Sequence, residues 1–255
     1  MNKQTTETGA HPNAERINKY LAQAGICSRR AADVLIEEGK VTVNGEIARS
    51  GQKVLPSDTV AVNGKVIPSA ARKVVLAFYK PVGVICTEKD RFADKKILDY
   101  VRTKERVTYA GRLDKDSEGL MLLTNDGQLI QRMMKGSEHH EKEYVVKVKE
   151  EITDDFMNAM QKGVLLKELG RTTRPCTAQQ LGKYTFRIIL TQGMNRQIRR
   201  MCQSLGYHVK ALKRIRIMNI TLGQMKPGET RSLTREEVCG LYTAVGMYVP
   251  EELRK

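Results

Sequence analysis

The chain has 255 residues, 40% of them hydrophobic, which suffices for one large domain plus a small one around ordinary cores. Its formal net charge of +15 favours a polyanionic partner, and nucleic acid over membrane because no basic amphipathic segment stands out. The five cysteines are odd in number and widely separated, the polar start MNKQTTETGAHPNAE is no secretory signal, and no run reaches the ~18 apolar residues of a membrane helix, so a reduced, cytoplasmic protein is expected.

Residues 1–13 have no apolar period and read as a disordered tail. Order is expected from residue 14. Ile17, Tyr20, Leu21 and Ala24 repeat at helical spacing before the stop signal Gly25, and a second helix follows with Ser28 as cap, Ala32, Leu35 and Ile36 as its apolar face and Gly39 at its end. The period then changes to two in VTVNG and VAVNGKVI, each closed by an Asn-Gly hairpin turn. Two helices and small strands make a compact unit over 14–67, with PSAAR (68–72) as linker.

The larger domain is expected over 73–245, with 246–255 as a C-terminal tail. An apolar run at 74–78 meets the turn Lys80-Pro81-Val82-Gly83, and 97–101 reads as helical. The next stretch is the most informative. GRLDKDSEGLMLLTNDG (111–127) sets Asp114, Asp116 and Glu118 beside Arg112 and Lys115, directly before Leu120, Met121, Leu122 and Leu123, an apolar run that would be buried on both faces. Carboxylates in a loop held against a rigid strand are candidates for chemistry.

Leu129, Ile130, Met133 and Met134 have helical spacing and read as core. Tyr144, Val146 and Val148 alternate with charges as a half-exposed strand, and Thr153 caps a helix carrying Phe156, Met157 and Met160. In MNRQIRRMCQSLGYHV, Met194, Ile198, Met201, Cys202 and Leu205 share one helical side, while Arg196, Arg199 and Arg200 extend from neighbouring positions. Between Glu168 and Glu229 lie twelve cations and no acid, so this interval is the expected phosphate-binding region. A closing helix begins near Thr234. His139-His140 lacks the spacing of a zinc site, and neither a dinucleotide loop nor a phosphate-binding loop with its Lys-Ser/Thr ending is present, so no metal and no cofactor are expected.

Four motifs carry a resemblance. INKYLAQAGICSRRAADVLIEEGKVTVNG is similar to the RNA-binding module first known in the small-subunit ribosomal protein S-four, which implies RNA contacts at Arg29, Arg30 and Lys40. GRLDKDSEGL and GMNRQIRRM, with Lys-Glu-Tyr-x-Val at 142–146, resemble the RNA pseudouridine synthases, most like the RsuA branch and its RluF-type large-subunit members. The resemblance implies an α+β fold: the small helix-turn-helix and strand module, then a mainly antiparallel mixed sheet flanked by helices. It implies Asp114 as the catalytic aspartate, acting at sugar or base, with Arg199 as its ion-pair partner in a largely buried site and Tyr144 as the active-site tyrosine. Arg112 would fill the gap left by a flipped nucleotide. Arg196, Arg200, Lys213, Arg214 and Arg216 complete the expected RNA contacts. Relatives carry an asparagine where this chain has Tyr79 and a tryptophan where it has Thr230.

The implied substrate is a uridine in large-subunit (23S) ribosomal RNA, with transfer RNA as the alternative, and the expected working form is a monomer. A non-catalytic RNA-binding or ribosome-assembly factor would also suit the charge, but leaves the two long motifs unexplained. A glycoside hydrolase using Asp114 and Glu118 would give the basic C-terminal half no role.

Overall fold

The computed structural model describes residues 14–68, 71–87, 96–135 and 139–254, so the expected N-terminal tail and part of the expected linker lie outside the described residues. The chain divides into two compact units, Met1–Arg72 and Lys73–Lys255.

In the first unit, β1 (Glu15–Arg16) leads into α1 (Ile17–Gln23), and α2 (Arg29–Glu37) starts where the Ser28 hydroxyl accepts a hydrogen bond from the Ala31 amide at 3.2 Å. Strands β2 (Val41–Val43) and β3 (Glu46–Ile47) form one hairpin. After β4 (Lys53–Val54), which pairs with β1, strands β5 (Val60–Val62) and β6 (Lys65–Val66) form another, giving a sheet of order β3-β2-β5-β6. Both hairpins turn on Asn-Gly pairs with two successive positive φ angles, 53° and 89° at Asn44-Gly45 and 50° and 75° at Asn63-Gly64. That geometry matches the twist of the flanking strands and is why the turns are short. Ile17, Leu21, Ala32, Ile36, Val41 and Val60 close the core.

The second unit is built on a nine-stranded sheet. Its strands are β7 (Val75–Lys80), β8 (Thr108–Tyr109), β9 (Glu118–Thr124), β10 (Lys142–Val148), β13 (Thr177–Gly182), β14 (Thr185–Leu190), β15 (Val209–Ile217), β16 (Ile220–Thr221) and β17 (Thr230–Ser232). The short pair β11 (Leu165–Leu166) and β12 (Arg171–Thr172) stands apart. The order is β13-β14-β10-β15-β9-β7-β17, with β8 on β9 and β16 on β15; the β15–β9 pair is parallel and the others antiparallel.

β9 is buried on both faces, as its apolar run requires. Leu120 and Leu122 face a core shared with α3 (Gly127–Met134) and α6 (Arg235–Ala244), whereas Met121 and Leu123 face a second core with Phe78, Val84, Ile97 and Leu113. A third core lies under α4 (Asp154–Lys162) and α5 (Gln197–Ser204), where Phe156, Met160, Ile198 and Met201 meet Val146, Phe186, Ile188 and Leu212. Tyr144 packs against both the second and third cores, so the seam between them runs past this residue. Residues 246–254, set apart in the sequence as a tail, pack onto the first core through Met247, Val249 and Leu253. Strand β7 runs on through Tyr79 and Lys80, past the end of the apolar run that marks it in the sequence.

One buried polar contact fastens α6 to α3. The Tyr242 hydroxyl donates to Asp126 Oδ2 at 3.0 Å, while Asp126 Oδ1 caps α3 by accepting from the Gln128 and Leu129 amides. Burial, first, and the Asp126 charge raise the Tyr242 hydroxyl well above its ordinary pKa, so it remains a donor. Tyr242→Phe leaves that carboxylate oxygen buried without its donor and is expected to cost about 2 kcal/mol in urea unfolding; a loss below about 0.5 kcal/mol would show that the bond contributes little.

Candidate active site

The loop from Gly111 to Ser117 is gripped from beneath. Leu113 is buried and exchanges contacts with Cys86, whose thiol donates to the Leu113 carbonyl at 3.1 Å and whose sulfur accepts from the Leu113 amide at 3.4 Å. Downstream, the Gly83 amide donates to the Lys115 carbonyl at 2.8 Å, and the Ser117 amide closes a turn onto the Asp114 carbonyl at 3.1 Å. Lys80 holds the far end: its side chain is 0% exposed, and Nζ donates to the Ser117 carbonyl at 2.6 Å and the Pro81 carbonyl at 2.9 Å. Burial pulls the Lys80 amine below its ordinary range; Cys86 and the carboxylates of Asp116, Asp114 and Glu118 oppose that pull. The expected turn at Lys80-Pro81-Val82-Gly83 thus supports the carboxylate loop.

Above the loop stands the start of α5. Arg196 precedes the helix in the left-handed region, at φ 50°, and its guanidinium spans both carboxylates: Nη1 lies 3.5 Å from Asp114 Oδ2 and Nη2 3.3 Å from Asp116 Oδ2. Arg199 is more enclosed, with a side chain 14% exposed. Its Nη2 donates to the Asp116 carbonyl at 2.9 Å and to Ser117 Oγ at 3.1 Å, and lies 3.3 Å from Asp116 Oδ2. Its Nε reaches only to 4.0 Å from Asp114 Oδ2 and makes no hydrogen bond although buried. One expectation is corrected here: the Asp114 side chain is 35% exposed, so the site is more open than expected. The expected pairing of Arg199 with Asp114 is present at 4.0 Å, with Arg196 nearer that carboxylate at 3.5 Å, because Arg199 is also drawn to the backbone and carboxylate of Asp116.

A third strand pair completes the wall. Tyr144 on β10 faces Arg214 on β15, and the register slips between Glu143 and Tyr144, a bulge that leaves Ile215 without a partner on β10 and re-aims the side chains on either side. Arg214 is only 3% exposed, and its Nε donates to the Leu120 carbonyl at 2.7 Å. It was expected as an RNA contact, and it lies almost wholly buried in the cavity wall. Lys142, next along the wall, donates to the His140 carbonyl at 3.3 Å, and burial, first, with the Arg214 charge second, lowers its amine below the usual range.

These pieces enclose a cavity of about 440 Å³, within the ordinary size range of ligand sites. Asp114, Tyr144, Arg199, Arg112, Arg196 and Arg214 all line it. The cavity also takes in Cys86, Lys142, Gln192 and Met134, which the sequence reading did not assign to a site; Met134, expected in the core, is 49% exposed, and its sulfur sits against Gly111. Met194, expected on the helix, lies in the loop before it and lines the same cavity.

The other expected cations lie elsewhere. Arg200 pairs with Glu168 and bonds the Asn195 carbonyl, at the edge of a second groove of about 600 Å³. Lys213 lies over the Tyr79 ring and 3.7 Å from Glu118, and the Tyr79 hydroxyl donates to Glu118 at 2.9 Å. Arg216 is committed to Glu143 at 2.6 Å and Glu141 at 2.9 Å. In the first unit Arg29 and Arg30 are exposed at the start of α2, and Lys40 is exposed beside Glu38 at 2.8 Å. Among the described residues no group of His, Cys, Asp and Glu side chains is arranged to hold a metal ion, and no helix is long and apolar enough to cross a membrane.

Comparison with known proteins adds an independent line. Residues 74–204 match the family model described as RNA pseudouridylate synthase, and residues 15–60 match the S4 domain. The chain is 47% identical over 232 residues, 90% of its length, to the dual-specificity RNA pseudouridine synthase RluF of Escherichia coli K12, covering 79% of that protein. It is 39% identical to the ribosomal large subunit pseudouridine synthase B of Bacillus subtilis, over 88% of this chain and 94% of that protein. A crystal structure described as a pseudouridylate synthase superposes with a TM-score of 0.66 at 29% identity, covering 89% of this chain and 99% of the other.

Proposed function

The chain belongs to the RNA pseudouridylate synthase family, with an S4 domain ahead of its catalytic unit, and from that premise we propose that it converts a uridine of large-subunit ribosomal RNA with Asp114 as the reacting carboxylate. The isomerisation breaks the bond between N1 of the base and C1′ of the sugar, turns the base and joins C5 to C1′; C5 loses a proton and N1 gains one, so atoms and electrons balance without a cofactor.

The observation that carries the assignment is the meeting of Asp114, Tyr144 and Arg199, from three separate stretches, around one cavity. In this reading Asp114 acts as nucleophile at sugar or base, or as the charge that steadies a sugar cation during departure. Arg199 and Arg196 fix the direction of the carboxylate. Tyr144 lies against the target ring and takes part in moving the C5 proton. Arg112, exposed at the mouth, occupies the space left by the flipped nucleotide. Arg29, Arg30 and Lys40 of the S4 domain, with Arg196 and Arg200, contact phosphates and add a second grip to the RNA. The active form is a single chain, since one chain supplies all these groups, and it works in the cytoplasm on ribosomal RNA.

The ribosomal substrate draws support from the relative named for the large ribosomal subunit. Incubating the protein separately with purified large-subunit ribosomal RNA and with transfer RNA, followed by nucleoside mass spectrometry, tests it. New pseudouridine in the ribosomal RNA is expected; pseudouridine in transfer RNA alone would move the substrate to that class.

Removing residues 1–72 is expected to leave 73–255 folded, with an unchanged thermal transition, and to weaken RNA binding by about tenfold or more because one of two linked grips is lost. Filter binding and circular dichroism check this. Unfolding of the remaining chain would contradict the assignment of two independent units.

A further inference from the structure

Asp116 is the carboxylate that both arginines approach most closely. Arg196 reaches it at 3.3 Å against 3.5 Å for Asp114, and Arg199 makes one hydrogen bond to its backbone, lies 3.3 Å from its carboxylate, and stays 4.0 Å from Asp114. The result is an unusual economy of donors. The buried Nε of Arg199 makes no hydrogen bond, while the nearest carboxylate oxygen on that side stands just out of reach. A guanidinium with an unpaired buried N–H is expected to close on a neighbouring carboxylate unless something holds it back.

We infer that Asp116 is a positioning residue that keeps Arg196 and Arg199 from closing on Asp114, so that Asp114 retains an oxygen available to the substrate. The inference rests on the assignment of Asp114 as the reacting carboxylate. Two guanidinium groups drawn fully onto Asp114 would lower its nucleophilicity and block the approach of the sugar. Asp116, with the Ser117 hydroxyl beside it, offers those groups a competing anchor. Its side chain is 50% exposed beside two arginines that line the cavity, a place where a carboxylate opposes RNA phosphate and would weaken binding. Its advantage therefore lies in the chemical step. A residue acting this way has a signature that ordinary loop damage lacks: its loss slows turnover without weakening RNA binding.

The test compares the full-length wild type with Asp116→Asn, Asp116→Glu and Asp114→Asn, using total bacterial RNA as substrate. Asn keeps the shape and removes the charge; Glu restores the charge on a longer stem. Expected for Asp116→Asn is a single-turnover rate lower by about tenfold or more, with an RNA Kd that is unchanged or smaller, and Asp116→Glu should recover most of the rate. A wild-type rate in Asp116→Asn overturns the inference. So does a rate loss accompanied by weaker RNA binding and not rescued by Glu, which marks a structural role. Substantial turnover by Asp114→Asn, or none by wild type, overturns the underlying assignment and this inference with it.

Discussion

With Asp114→Asn, pseudouridine formation is expected to fall by about 10³-fold or more under single-turnover conditions, while RNA binding and the thermal transition stay at wild-type values. The substitution is nearly isosteric and removes the one charge that the mechanism assigns to the reacting centre. The fold has little reason to notice. The side chain is 35% exposed, and the loop around it is held by groups that do not touch it: Lys80 on the Ser117 carbonyl, Gly83 on the Lys115 carbonyl and Cys86 on Leu113. Both arginines keep Asp116 as an anchor. Taking a negative charge out of a basic cavity leaves attraction to phosphate equal or greater. A variant within about tenfold of the wild-type rate would remove Asp114 from the chemical step.

The largest effect on the fold is expected at Gly119. β9 and β15 meet in parallel over a two-residue register, Glu118 with Lys213 and Gly119 with Arg214, and this pairing joins the two halves of the sheet. Gly119 has φ 116°, and a Cβ there would lie 2.2 Å from the Arg214 carbonyl oxygen and 2.6 Å from its nitrogen. Neither neighbour is a flexible side-chain tip that can swing aside. Gly119→Ala therefore combines a disfavoured backbone with a backbone collision, at about 3–5 kcal/mol in total. The consequence reaches the site, because Asp114 belongs to the β9 side of the junction while Tyr144 and Arg214 belong to the β15 side. Urea unfolding should show the loss of stability, and a protein that still folds should be nearly inactive. Wild-type stability would mean that the sheet halves do not depend on this close approach.

Much of this arrangement was legible in the chain. The apolar run 120–123 announced a strand buried on both faces, the Asn-Gly pairs announced hairpins, Ser28 and Thr153 cap helices as their spacing suggests, and the closing helix starts at its cap, Thr234. The supports of the site were less visible because they are contacts between distant residues. Lys80 ends an otherwise apolar strand, and only the packing of the Asp114 loop over it shows why a lysine is buried there. Arg214 did carry a signal: it is two residues from Leu212, so a period of two puts both on the buried face, and the bulge then passes the next buried place to Ile217. The twelve cations between Glu168 and Glu229 looked uniformly available to RNA. Folding brings acids from elsewhere in the chain onto several of them, Glu143 and Glu141 onto Arg216, Glu118 near Lys213 and Glu151 onto Lys183, so local charge overstates the surface open to phosphate.

The most direct measurement is position-specific pseudouridine mapping of total bacterial RNA incubated with wild type or with Asp114→Asn. The account predicts new pseudouridine at a defined uridine with the wild type and none with the variant. Conversion of the same uridine by Asp114→Asn, or intact RNA bound by both proteins and converted by neither, would contradict it.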